Sequence, residues 1–202
     1  MIELPKTIRS ARFDEIPKNS SAFERLQKFD NAKIVEGYTF KFKEADNEEH
    51  KQIPFKFYSE ININNSGLWD LIIALTDLLP DLSALIIGDS DSEPNYCDYI
   101  QKIDLIEKLR KFKTELTKDP FLEWGIIYHD KQSLTEIFVS DSKYIKFWGG
   151  DIDKFRTIMT TFSLMQVDDL EFIDEYPKVR QPLRLFEQSI IDTNELINEL
   201  KK

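Results

Sequence analysis

A single cysteine, Cys97, and two histidines, His50 and His129, are all that this 202-residue chain holds of those types. One cysteine excludes an intramolecular disulfide, and one cysteine with two histidines is too small a donor set for the usual nitrogen and sulfur zinc sites. A dyad of Cys97 with either histidine lacks any local signature of a catalytic cysteine. Cys97 therefore reads as a packing residue at a helix start, and the histidines as surface groups. Only six glycines occur, and the sequence holds neither a GxxxxGK[ST] phosphate loop nor a GxGxxG fingerprint. No apolar run reaches the roughly 18 residues a membrane helix needs, and no signal-type apolar core is visible, so the expected location is cytoplasmic with no membrane partner. Positive charge is short as well. The 27 Lys and Arg against 37 Asp and Glu leave a formal charge of −10, which argues against nucleic acid and permits a basic partner.

Apolar residues are plentiful: they make up 41% of the chain, with 15 Phe, enough for the core of one domain spanning residues 1–202. Residues 1–18 read as an extended lead-in. A short helix follows from the capping-box spacing Ser21-Ala-Phe-Glu24. Apolar residues then alternate at Tyr38, Phe40 and Phe42 and again at Phe55, Phe57, Ile61 and Ile63, which predicts an antiparallel hairpin.

Two stretches read as strand–helix–strand units. In residues 67–89 a helix that is apolar nearly all round ends at Pro80, and Ala84-Leu-Ile-Ile87 follows as a buried strand. In residues 144–177 a β-branched, aromatic strand (144–148) breaks at Gly149-Gly150. Asp151 then caps a helix with Ile152, Phe155, Ile158, Met159 and Phe162 on one face, and a returning strand is expected from Val167 and residues 170–173. Between the two, the spacing predicts a long helix over 96–118 and two strands, 121–129 and 135–140, that extend a meander. A last helix is expected over 183–200. The expected architecture is α+β, a mainly antiparallel or mixed sheet with helices chiefly on one face, built around two similar strand–helix–strand units.

Candidate chemistry is sparse. In the loop 88–98, Asp89, Asp91, Glu93 and Asn95 alternate as oxygen ligands do in a calcium loop, but the sixth position is Pro94 where glycine is needed and the twelfth is Ile100 where glutamate is needed. A solvated acidic loop is the better reading, and no metal, cofactor or catalytic residue is expected. Asp151 is a cap, Asp168-Asp169 suits a turn, and Glu171 alternates outward from Leu170 and Phe172. Segments 89–98 and 168–175 hold four and five acidic residues and no Lys or Arg. Such a surface steers a basic protein toward it. The residues chosen for partner binding are Asp89, Asp91, Glu93, Asp168, Asp169 and Glu171, with Tyr96 and Trp148 as aromatic anchors.

The pattern Phe147-Trp148-Gly149, Asp151-x-Asp153-x-Phe155 and Phe172-Ile-Asp-Glu-Tyr-Pro177 resembles the closing portion of small acidic α+β proteins of uncharacterised bacterial families, immunity proteins of polymorphic toxin systems among them. That resemblance implies a non-enzymatic binder of a basic protein, a toxin in the immunity case. The alternatives are a metal-dependent hydrolase using the 89–98 loop, and a structural or regulatory subunit docking through its C-terminal helix.

Overall fold

A computed structural model describes residues 1–43 and 53–202. Strand β1 (Ile8–Ser10) pairs only with β10 (Lys178–Arg180), as a small antiparallel ribbon. The main sheet holds β2 (Gly37–Tyr38), β3 (Lys41–Phe42), β4 (Phe57–Asn62), β5 (Leu82–Asp89), β6 (Asn95–Gln101), β7 (Leu122–His129), β8 (Leu134–Val139) and β9 (Ile145–Gly149). Its order is β2-β4-β9-β8-β7-β5-β6, with β3 also on β4, and every one of these pairings is antiparallel. The helices are α1 (Ser21–Lys28), α2 (Asn65–Leu75), α3 (Lys102–Arg110), α4 (Lys113–Lys118), α5 (Ile152–Thr161) and α6 (Thr193–Leu200). The fold is α+β, as the alternation of two-residue and helical periods predicts.

Strand alternation sorts the side chains onto two unlike faces. One face presents Phe57, Ile61, Leu85, Ile87, Trp124, Ile126, Ile137, Val139, Ile145 and Phe147, and the helices close over it. Leu68, Leu71, Ile72 and Leu75 of α2, Leu105 and Leu109 of α3, Leu116 of α4, Phe155 and Met159 of α5, and Leu196, Ile197 and Leu200 of α6 complete that core. Phe155 is fully buried, with its ring 5.0 Å from both Phe57 and Phe147. Burial of such a side chain is worth about 2–3 kcal/mol. The Asp151 carboxylate starts α5 by accepting the Lys154 N–H at 3.0 Å.

The opposite face bears only a small cluster, Phe55, Ala84, Ile86, Ile127 and Leu134, with Ile53, Tyr58, Phe138 and Trp148 packed partly against it. At one position the adjacent strand leaves no room for a side chain. A Cβ on Gly125 of β7 would lie 2.5 Å from the Ile137 carbonyl of β8, so only glycine fits there.

Four expected elements differ. The returning strand after α5 is not formed. Both edges of β9 are taken, by β4 and β8, so residues 166–173 make a single bridge, Tyr38 to Gln166, and run on as a loop. Only the first strand–helix–strand unit, β4-α2-β5, therefore closes with a strand, and β9, β8 and β7 stand between its two strands. The helix expected over 96–118 is not continuous: residues 95–101 are edge strand β6, because β5 offers them a free ladder and the aromatic run Tyr-Cys-Asp-Tyr suits a strand. The remainder is two helices, α3 and α4, with the break at Lys111-Phe112. The helix expected over 183–200 is a short 3-10 turn at Leu183–Leu185 followed by α6 alone, which begins where Asp192 accepts the Asn194 N–H at 3.0 Å. The cap of α1 is Ser20 and not Ser21: its Oγ accepts the Phe23 N–H at 3.2 Å.

Candidate functional site

The face of the sheet that no helix covers among the described residues brings aromatic side chains to a carboxylate without a partner. From β4 it carries Tyr58 and Glu60; from β9, Lys146 and Trp148; from β8, Glu136 and Phe138; from β7, Glu123 and Ile127, as alternation and register require. Tyr96 of β6 stands opposite Ile86, on this same face. The face is bounded at one end by Ile53 and Phe55, packed with Leu134, and at the other by Leu170 and Phe172, packed on Tyr144. Trp148 lies against Tyr58 with ring centroids 4.8 Å apart, and Tyr96 is 67% exposed. The two aromatic residues expected as anchors therefore share one surface.

Glu136 lies between them on the central strand β8, with Trp148 of β9 and Ile127 of β7 as its cross-strand neighbours. Among the described residues its carboxylate accepts no hydrogen bond and forms no ion pair. Burial alone pushes its pKa up to about 7. Burial, and then the field of the Glu136 carboxylate, raise the Tyr96 phenol. Tyr58 is raised by burial first and Glu60 second. Lys146 lies over the Tyr144 ring, 5.5 Å from its centroid. Glu136 was not legible as a site residue, but a signal existed. In Leu134-Thr-Glu-Ile-Phe138 a lone carboxylate occupies the middle of an apolar row with period two.

The expected acids are placed differently from one another. Glu93 and Asp168 are exposed, Asp168 accepting only from the Gln166 side chain at 3.2 Å. Asp89 turns its carboxylate onto the Asp91 N–H at 2.9 Å, and Asp91 faces Arg180 at 3.7 Å. Asp169 pairs with Lys33, and Glu171 clamps the Lys33 N–H at 2.6 Å and the Tyr176 hydroxyl at 2.5 Å. These last two hold the 170–176 segment to the chain near residue 33. The two acidic segments do approach one another, at the end of the strands, through a chain of ion pairs. Arg180 bridges Asp91 and Asp141, and Lys178 bridges Asp141 and Asp174. Beneath that chain Lys143 is buried and donates to the Leu122 carbonyl at 2.7 Å, with burial lowering its pKa to about 8.

The other candidates are also located. Asn95 of the 88–98 loop opens β6, and its side chain donates to the Ile87 carbonyl at 3.2 Å. Among the described residues no three His, Cys, Asp or Glu converge to hold a metal ion. Cys97 sits on β6, not at a helix start, and burial raises its thiol pKa, which suits packing. His129 is exposed at the end of β7, and His50 lies outside the described residues. A recess of about 290 Å³ is lined by Thr76, Asp77, Lys102 and Arg110, and in its wall Lys102 donates to the Thr76 and Leu79 carbonyls at 2.9 and 2.8 Å. No described helix is long and apolar enough to cross a membrane.

Comparison with known protein families, curated proteins and solved structures yields no match to this chain.

Proposed function

We propose that this chain is a non-enzymatic, cytoplasmic binding protein that engages a basic protein partner through the helix-free face of its sheet, as an immunity protein engages a toxin. The observation that carries the reading is the joint placement of Trp148 and Tyr96 on that face, around the unpaired carboxylate Glu136. Exposed aromatics within a charged rim are the residue types that anchor protein interfaces. The formal charge of −10 supports a partner of opposite sign, since a field of one sign speeds encounter with it. In this reading Asp89, Asp91, Glu93 and Asp168 steer the partner from the rim, while Asp169 and Glu171 act by shaping the loop.

The shape of edge strand β6 favours face-on docking over strand addition. Its register shifts between Ala84 and Ile86, a bulge that bends the edge, and Asp98 stands at its middle. Both features discourage a further strand. Docking through the C-terminal helix is less favoured, because Leu196, Ile197 and Leu200 of α6 are already spent in the core.

The experiment is affinity capture from native cell lysate on the wild-type chain and on the double variant Tyr96→Ala, Trp148→Ala. One basic protein held in stoichiometric amount by wild type, released by salt and absent from the variant, is the expected result. The same proteins on both columns would overturn the assignment of the face.

A further inference from the structure

We propose that Glu136 is the acceptor for one arginine side chain of the partner, inserted over β7 between Trp148 and Tyr96. The inference rests on the reading above and names the group that the face recognises.

The geometry argues as follows. A carboxylate set in the middle of a sheet, between Trp148 and Ile127, is stripped of much of its water and receives no compensating hydrogen bond or ion pair from the described residues. Among the described residues the nearest charged groups on that face have other contacts. Lys146 rests on Tyr144; Glu60 sits beside Tyr58; and Glu123 accepts the Asp141 N–H at 3.3 Å. The missing partner is therefore a cation brought from outside. Its chemistry follows from the walls. A guanidinium stacks on aromatic faces, offers two parallel N–H groups to a carboxylate and is less strongly hydrated than an ammonium, so it fits a half-buried site lined by Trp148 and Tyr96 better than lysine does.

The raised pKa of Glu136 gives the binding a signature. Free Glu136 holds its proton up to about pH 7, and a bound guanidinium requires it ionised, so binding expels a proton below that pH. Affinity then rises from pH 6 to pH 8 and levels off. The titratable groups on that face of the neighbouring strands are Tyr96 and Tyr99 of β6, Glu123 and His129 of β7, Tyr144 at the start of β9 and Lys146 on it, and Tyr58 and Glu60 of β4. His129 is the one imidazole among them. Its contribution survives in Glu136→Gln and is read there.

The probes are a blocked nona-arginine peptide and its nona-lysine counterpart, titrated into the full chain at pH 6 and pH 8 by calorimetry. Wild type, Glu136→Gln and Asp153→Asn, an exposed acid of α5 on the helix side, are compared, with the Glu136 carboxyl followed by carbon NMR. The expected result has three parts. Glu136→Gln weakens nona-arginine at pH 8 about tenfold, while Asp153→Asn changes it less than about twofold. The gain in affinity from pH 6 to pH 8 is lost in Glu136→Gln, and the Glu136 midpoint falls from near 7 when peptide is added. Nona-arginine also binds more tightly than nona-lysine. Equal losses from Glu136→Gln and Asp153→Asn, with an unmoved midpoint, would overturn the site and leave a diffuse acidic binder. No binding of either peptide to wild type would overturn the basic-partner reading as well.

Discussion

A carboxyl placed between Trp148 and Ile127 in the middle of a sheet keeps its proton to a higher pH in the folded state than in the unfolded chain. Between the ordinary glutamate pKa and about 7, the unfolded state has released the proton while the folded state still binds it. Stability therefore falls as pH rises through that window and is level above it. The expected outcome is that Glu136→Gln stabilises the protein at pH 8 by on the order of 1–2 kcal/mol, a figure that allows for solvent screening of a half-buried group, and leaves pH 4.5 almost unchanged. Urea unfolding at the two pH values measures it. Glu171 has the opposite sense. The Tyr176 hydroxyl first, then the Lys33 N–H, hold its pKa below the usual range, so its support is present at neutral pH and is lost as pH falls. Glu171→Ala is expected to cost about 1–2 kcal/mol at pH 7, with the loss shrinking under acid. The pH dependence of the same unfolding curves distinguishes the two glutamates.

At the scale of elements, what was legible in the sequence is what local period and punctuation decide. The hairpin of β2 and β3 with β4, the strands β7 to β9 and the Asp151-capped α5 all follow from alternation, helical spacing and capping residues at short range. What was not legible depends on which ladders are already filled. Residues 170–173 alternate well enough for a strand, yet no edge is free beside β9. Residues 95–101 preface a helical pattern, yet β5 has an edge to offer. The acids at Asp89, Asp91, Glu93, Asp168, Asp169 and Glu171 were visible as a composition, but their division into free, ion-paired and clamping groups depends on Lys33 and Arg180, far away in sequence. Two substitutions probe element contacts. Phe155→Ala empties the contact of α5 with β4 and β9 and is expected to cost about 3–5 kcal/mol in thermal or chemical unfolding. Asp98→Val removes the charge at the centre of β6, and sedimentation is expected to detect self-association that wild type lacks at the same concentration.

For the molecule as a whole, one sheet separates two surfaces of different character. The helix side consumes most of the apolar residues, and the other side leaves Tyr96 exposed and Tyr58, Phe138 and Trp148 half-buried around Glu136. In the function proposed above, a strongly acidic chain meets a basic surface through this face, which no helix covers among the described residues. The most direct measurement is hydroxyl-radical footprinting of the protein alone and with the nona-arginine peptide, the probe for the proposed basic partner. Protection at Tyr58, Tyr96, Phe138 and Trp148 is the predicted result. Protection confined to the helix side, at Ile103, Leu185 and Phe186, with the sheet face unchanged, would contradict the account.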